Sequence, residues 1–485
     1  MPRKTLFLAT LALLSGCALP RKWELPSEKV QVNPPAVWLE AGKGQNRKIA
    51  TGWLSEFGDP RMNSLVQEAI RNNNNLKASA HRLRATREST IIGRAARLPS
   101  LNAAASTSRR YTGLGPAPGF SSDSYGLSFS ASWEIDLWGR LRDLDYATRA
   151  DYESTLADFR GAQLSLAVNT AQAWINLTTA AQQLAIAERT LGDFQVSLRL
   201  IDRQYRAAVL RAVDVQLGRN NVAAAERNLR SRRLQRDEAA RSLELLLGRY
   251  PAGELKSALR LPTNLKDLST AKLLEQILSA LPSMNEEIPA GLPSELLNRR
   301  PDLVASRLRV YSSARLADAA RKDLLPSLRL TGTANTGSDQ LKRALDPAYL
   351  TWSIASSLAQ TIYQGGAPTA RARAALQRNK AAVADYVQDV LVAFREIESA
   401  LQTERSLREQ EFFLLKEVEQ ASLAEMQSER DLRRGLEGAS VLEILEAQRR
   451  AVNARGNLIN LRSQRLLNRL DLHLALGGDY QTLGN

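Results

Sequence analysis

The sequence predicts a mixed α+β membrane protein, mainly long coiled-coil helices with four β-strands per chain, laid out as an internal duplication. Three observations predict it. From Tyr125 to Leu137 the odd positions are Tyr125, Leu127, Phe129, Ala131, Trp133, Ile135 and Leu137, and small or charged residues fill the even ones. This is the period-2 alternation of a two-faced strand. No proline lies between Pro118 and Pro251 or after Pro368, and apolar residues recur there at alternating spacings of 3 and 4, the pattern of a helical seam. Finally, Leu98-Pro99-Ser100-Leu101 returns as Leu325-Pro326-Ser327-Leu328. Twenty-two positions before each copy, Leu76-Lys77-Ala78-Ser79 faces Leu303-Val304-Ala305-Ser306.

The chain opens with Arg3 and Lys4 ahead of a nearly unbroken apolar run from Leu6 to Leu14. That run has the length of a signal-peptide core and is too short to span a bilayer. Removing the leader takes the charge from +15 to +13. The mature chain has no apolar run near 18 residues, so any crossing of a membrane requires a closed barrel.

Each half then follows one order. A helical stretch runs from about Met62 to Ala96 in the first half and from Arg300 to Leu324 in the second. Two strands follow in each half: Leu101 to Tyr111 with Tyr125 to Leu137, and Leu328 to Asn335 with the alternating run Leu350, Trp352, Ile354 and Leu358. Four strands cannot close, because about eight is the practical minimum. Sheet edges left open in lipid cost several kcal/mol per unsatisfied group. Copies of the chain must therefore share one barrel; two would supply eight strands and three twelve. A soluble sandwich is the competing reading of the same alternation.

Long helices come next. A helix from Leu141 to about Tyr205 has a seam of Leu184, Ala187, Leu191, Phe194, Leu198, Ile201, Tyr205 and Ala208. About 65 helical residues reach on the order of 100 Å. The second half has Val383, Val387, Val390, Phe394, Ile397 and Leu401. Prolines crowd residues 251–301, which reads as a joint. The expected division is a signal peptide at 1–16, an N-terminal strap at 17–59, a first repeat at 60–250, a linker at 251–299, a second repeat at 300–478 and a tail at 479–485.

Composition excludes several functions. One cysteine excludes a disulfide framework and a multi-thiolate metal site, and two histidines, His81 and His473, leave little for metal binding or acid–base catalysis. The sequence thus implies no enzyme, no catalytic residues, no cofactor and no metal. The charge of +15 first suggests nucleic acid, but the arginines are spread along helices among Glu and Asp, and no nucleic-acid motif is present.

Leu14-Ser15-Gly16-Cys17 resembles the bacterial lipobox. The resemblance implies cleavage before Cys17, acylation there with palmitate among the chains, and, with Ala18 following, anchorage in the outer membrane. The whole mature chain resembles the TolC-like outer membrane factors of tripartite efflux systems of the resistance-nodulation-division type, in their acylated NodT-type branch. The residues that carry the match are Trp133-Glu134-Ile135-Asp136-Leu137-Trp138-Gly139-Arg140 at a strand-to-helix junction, Arg299-Arg300-Pro301-Asp302-Leu303 at the second opening, and two helix-tip motifs, Asp214-Val215-Gln216 and Glu443-Ile444-Leu445-Glu446-Ala447-Gln448.

The resemblance implies a homotrimer: a twelve-stranded transmembrane barrel in the cell outer membrane that continues into a helical periplasmic tunnel. It implies a periplasmic adaptor and an inner membrane pump as partners, and no nucleic acid. It also implies a gate of carboxylates at the helix tips, here Asp214, Glu443 and Glu446; where the family usually has Asp at the last two places, this chain has Glu. The function implied is a passive exit duct for small molecules such as drugs or metals. The alternatives are a duct for a type I protein secretion system and a non-transporting coiled-coil envelope scaffold.

Overall fold

The computed structural model describes residues 24–30, 34–35, 37–39, 52–115, 117–259, 270–282, 293–344, 346–434 and 440–478. The expected signal peptide, Cys17 and the tail from 479 lie outside the described residues. In chain order the elements are a 3-10 turn at Trp53–Phe57, α1 (Pro60–Asn72), α2 (Asn74–Ala95), β1 (Ser100–Leu114), β2 (Ala117–Ile135), α3 (Arg140–Arg206), α4 (Ala212–Leu246), α5 (Thr270–Ser279), α6 (Pro293–Arg299), α7 (Pro301–Lys322), β3 (Ser327–Ser338), α8 (Leu341–Ala344), β4 (Leu350–Ala359), α9 (Ala367–Arg434) and α10 (Val441–Ala475). The chain divides into two compact units, and each draws on both sequence halves.

The first unit includes residues 81–157 and 303–389. Its sheet has the order β1-β2-β3-β4, all antiparallel. Tyr125 to Ile135 of β2 pair with Ser338 to Leu328 of β3, so strands from the two halves meet at the middle of one sheet. β1 and β4 are its edges. The register sorts the side chains, because alternate residues share a face. One face carries Ile135, Trp133, Phe129 and Leu127 of β2, with Leu328 and Leu330 of β3 beside them and Leu358, Ile354 and Trp352 of β4 next in line. The other face carries Ser132, Ser130 and Ser128 against Asn102 and Ser100 of β1 and Thr331 and Thr333 of β3. All ten residues of β4 are exposed in the single chain. Tyr125 to Ile135, tilted by about 45°, rises roughly 25 Å, the height of the apolar band of a membrane barrel.

The motif around Trp133 holds the sheet to its helices. Trp133 Nε1 donates to the Arg97 carbonyl at 2.9 Å, and Trp138 Nε1 donates to the Pro326 carbonyl at 2.8 Å. Each indole thereby grips the residues at one copy of the repeated Leu-Pro-Ser-Leu. Asp136 accepts from the amides of Leu141 at 3.1 Å and Arg142 at 2.8 Å, which caps α3 where its first N–H groups lack helical partners. Gly139 sits at φ 74°, a left-handed conformation that favours glycine. Arg140 closes the turn on Glu134 at 2.6 Å. Nearby, buried Asp145 is held by Arg97 at 3.0 Å and Arg149 at 2.9 Å. Residues of the strap are tied down as well: Ser27 exchanges backbone bonds of 2.8 and 3.0 Å with the Asn379 side chain, and Glu28 pairs with Arg315 at 2.9 Å.

The second unit includes residues 33–80, 158–302 and 390–485. Its core packs Trp53, Phe57, Met62, Val66, Trp174 and Leu243. Asp59 caps α1 through the amides of Arg61 and Met62 and accepts from Trp174 Nε1 at 2.7 Å. The helical stretch expected as one piece from Met62 breaks at Asn73. The Asn73 side-chain oxygen accepts from the amides of Asn75 and Leu76, and its Nδ2 donates to the Leu246 carbonyl at 3.0 Å. The Arg-Arg-Pro-Asp motif also has a structural basis. Arg300 is buried, forks onto Asp302 and reaches Glu396 at 2.7 Å and the Ala475 carbonyl at 3.2 Å.

The predicted seams hold in part. Ala187 and Ile201 are buried on α3, and Val390, Ile397 and Leu401 on α9. Tyr205 is exposed, and Ala208 lies past the helix end at φ 60°. Thr190 and Ser197 take buried places that the seam assigned to apolar residues. Among the described residues, no helix is long and apolar enough to cross a membrane.

Candidate functional site

The two helical hairpins α3–α4 and α9–α10 bring their tips together. Ile201 and Val215 of the first pack with Leu432, Val441, Ile444 and Leu445 of the second in one apolar cluster. Gln204 Nε2 donates to the Leu432 carbonyl at 3.0 Å, and buried Gln448 Nε2 donates to the Ser197 hydroxyl at 2.9 Å. Gly218 fits here because a Cβ at that position would stand 3.0 Å from Leu198 Cδ1 and 3.4 Å from Ile201 Cδ1. The two tip motifs, 229 residues apart at their acidic first positions, thus belong to one structural site.

The three gate candidates occupy different surroundings. Asp214 is buried, its Oδ2 accepting the Arg211 amide at 3.0 Å and its own amide donating to the Arg211 carbonyl at 3.0 Å, with the Arg211 guanidinium 3.6 Å away. Glu443, in the first turn of α10, is exposed. Glu446 is gripped by Arg449 and Arg450, each at 2.8 Å, and their hydrogen bonds hold its carboxyl down to about 2. The Ser440 hydroxyl caps α10. Arg433 pairs with Glu429 on its own helix at 2.5 Å. The loop 435–439 lies outside the described residues. His473 is buried against Trp53 and bonds Glu56 at 2.8 Å.

One feature has no motif behind it. A groove of about 1560 Å³ runs between α3, α5, α9 and α10, and Asp193, Glu425 and Glu429 line it with Arg189 and Arg455. Burial pushes the Asp193 and Glu425 carboxyls up, and the neighbouring Glu429 charge adds to this; Arg189 opposes the shift at Asp193 and Arg455 at Glu425. These residues lie on separate helices, so no local pattern announced them. Among the described residues no cluster of three or more His, Cys, Asp and Glu side chains is placed to hold a metal ion.

Comparison with known proteins bears on the tips and the sheet together. The family model "Outer membrane efflux protein" matches residues 65–249 and 292–478. The cation efflux system protein CusC of Escherichia coli (strain K12) is 28% identical over 98% of this chain and 99% of its own. Outer membrane protein OprJ of Pseudomonas aeruginosa is 30% identical over 96% of this chain and 94% of its own. The toluene efflux pump outer membrane protein TtgI of Pseudomonas putida is 28% identical over the full length of both. Among solved structures, the outer-membrane channel OprN aligns with a TM-score of 0.82 at 25% identity, covering 96% of this chain and all of that one. CusC aligns at 0.78, also at 25% identity, over 95% and 100%. The four-stranded sheet, the paired long hairpins and these matches end at one conclusion: the chain belongs to the outer membrane efflux protein family, the TolC-like outer membrane channels of tripartite efflux systems.

Proposed function

We propose that three copies of this chain close a twelve-stranded barrel and form a passive duct. Small molecules delivered by a periplasmic adaptor and an inner membrane pump leave through it. The observation that carries this reading is the open sheet: β1 and β4 present unpaired edges, and one face is largely apolar, with Leu101, Phe129, Trp133, Trp352, Ile354 and Leu358 exposed in the single chain. In lipid such edges are satisfied only by closure. Apolar residues outside and hydroxyls inside are the arrangement of a water-filled membrane barrel.

The rest of the reading follows from this. The halves 60–250 and 300–478 are repeats, each giving two strands and one hairpin, with 251–299 as the linker between them. Cys17 carries acyl chains that anchor the strap in the outer membrane. The chain itself does no catalysis. Asp214, Glu443 and Glu446 ring the narrow end, where carboxylates facing one another across a three-fold axis attract cations at a constriction that shifting helices open. With relatives named for cation and toluene efflux, metal ions and apolar solvents are candidate cargo.

The test is reconstitution of the purified, acylated protein in planar bilayers together with its mass in detergent. A trimer that conducts ions supports the duct. A stable monomer, or a trimer that stays sealed when its tip carboxylates are neutralised, supports an envelope scaffold instead.

A further inference from the structure

We infer that Arg110 gives the outward section of the barrel wall a preference for anions. This rests on the trimeric duct proposed above. The register places Arg110 opposite Ser122, on the face that carries Ser100, Asn102, Ser106, Ser128 and Ser130. Its neighbour Arg109 falls on the apolar face and pairs with Asp123 at 3.5 Å, one step beyond Thr107 opposite Tyr125. The two arginines therefore stand at the same height, one on each side of the wall.

In formal charge Arg110 is the one in excess. Charged residues in the two strand pairs, 100–135 and 327–359, are few. Arg109, Lys342 and Arg343 balance Asp123, Asp339 and Asp346, while Glu134 and Arg329 are directly cross-strand from each other. Between that pair and Arg110 the polar face is hydroxyl, amide or small. Arg110 is exposed and makes no ion pair among the described residues. Its position lies at the hairpin end of the sheet, away from the ends of β1 and β2 that join α2 and α3.

Three copies put a ring of three guanidinium groups around a wall with no other net charge. Rings of Arg select anions in pores as rings of carboxylates select cations. The ring would hold back cations returning from outside while leaving the acidic entrance at the tips unchanged. Its reach is set by screening: about 30 Å at 10 mM salt and about 3 Å at 1 M.

The experiment measures reversal potentials of the reconstituted full-length trimer in KCl gradients, with Glu443 and Glu446 intact. At about 10 mM mean salt the potassium-to-chloride permeability ratio rises at least about twofold in R110Q and further in R110E, and the differences vanish near 1 M. R110C, assembled first and then labelled, separates charge from folding. A positively charged thiol reagent restores the parental ratio and a negatively charged one raises it; the chain's only native cysteine is Cys17. Conductance with one ratio in every form overturns this inference and leaves the duct standing. No conductance in any form, including one with Glu443 and Glu446 neutralised, overturns the duct reading and this inference with it.

Discussion

Gln448 Nε2 donates to the Ser197 hydroxyl at 2.9 Å in the buried space between the two hairpins. Gln448 ends the second tip motif, and Ser197 lies on the helix that leads into the first tip. The bond fastens one hairpin to the other just behind the carboxylates. Truncation to Q448A leaves the Ser197 hydroxyl without this partner and costs about 1–3 kcal/mol. The expected outcome is a lower thermal midpoint by circular dichroism together with a higher open probability in bilayers. A loss of stability without any change in opening would separate this bond from gating.

Glu443 and Glu446 differ in what they offer a passing cation. Glu446 is compensated by Arg449 and Arg450, while Glu443 is exposed and makes no ion pair among the described residues. Neutralising both weakens cation block at the entrance and raises leak. E443Q alone is expected to account for most of that change, and E446Q for little, because removing Glu446 also leaves two arginines unpaired. Single-channel block by divalent cations checks it, and equal effects of the two substitutions would contradict this ordering.

The groove makes stability depend on pH in a signed way. Asp193 and Glu425 have folded values raised above the ordinary 3.8 and 4.5. The folded protein therefore binds protons there before the unfolded chain does, and mild acidification from neutrality stabilises it. Glu56, Glu244 and Glu411 are shifted the other way. Burial raises each, but hydrogen bonds and nearby positive charge outweigh it: from His473 and Arg469, from the amides of Gly253, Glu254 and Leu255 with Arg249, and from Arg462 and Arg465. Their contribution is present above 4.5 and is lost as the pH falls below it. The thermal midpoint is thus expected to pass through a maximum in mild acid. The double substitution D193N/E425Q flattens the rise on the neutral side and leaves the acid side in place.

What the sequence made legible follows from periodicity. The strands and the helix predicted from Leu141 to Tyr205 were readable because alternation and the absence of proline are local signals; α3 spans Arg140–Arg206. The break at Asn73 lies inside the run Asn72-Asn73-Asn74-Asn75, a signal of capping chemistry that a long helical pattern overrode. The seam missed Thr190 because its hydroxyl satisfies itself on the Ile186 carbonyl at 2.8 Å, which allows a polar residue to be buried. The groove was not legible at all, since Asp193 meets Glu425 only after the chain has traversed residues 251–299 and the second pair of strands.

The face assignment of the sheet is open to a direct test at β4. Ile354 lies opposite Gly332 on the apolar face, and its neighbour Ser353 lies opposite Thr333 on the polar face, with hydroxyls 2.9 Å apart. In a closed barrel a lysine at position 354 faces hydrocarbon near the middle of the band and costs about 2–4 kcal/mol per chain. A lysine at 353 faces water and costs little. I354K is therefore expected to lower the yield of heat-resistant trimer in outer membrane fractions, while S353K assembles normally and reduces conductance by narrowing the lumen. A soluble sandwich predicts no such contrast in membrane assembly, because both residues are exposed in the single chain. Equal assembly of the two variants would remove the argument that this apolar face meets lipid.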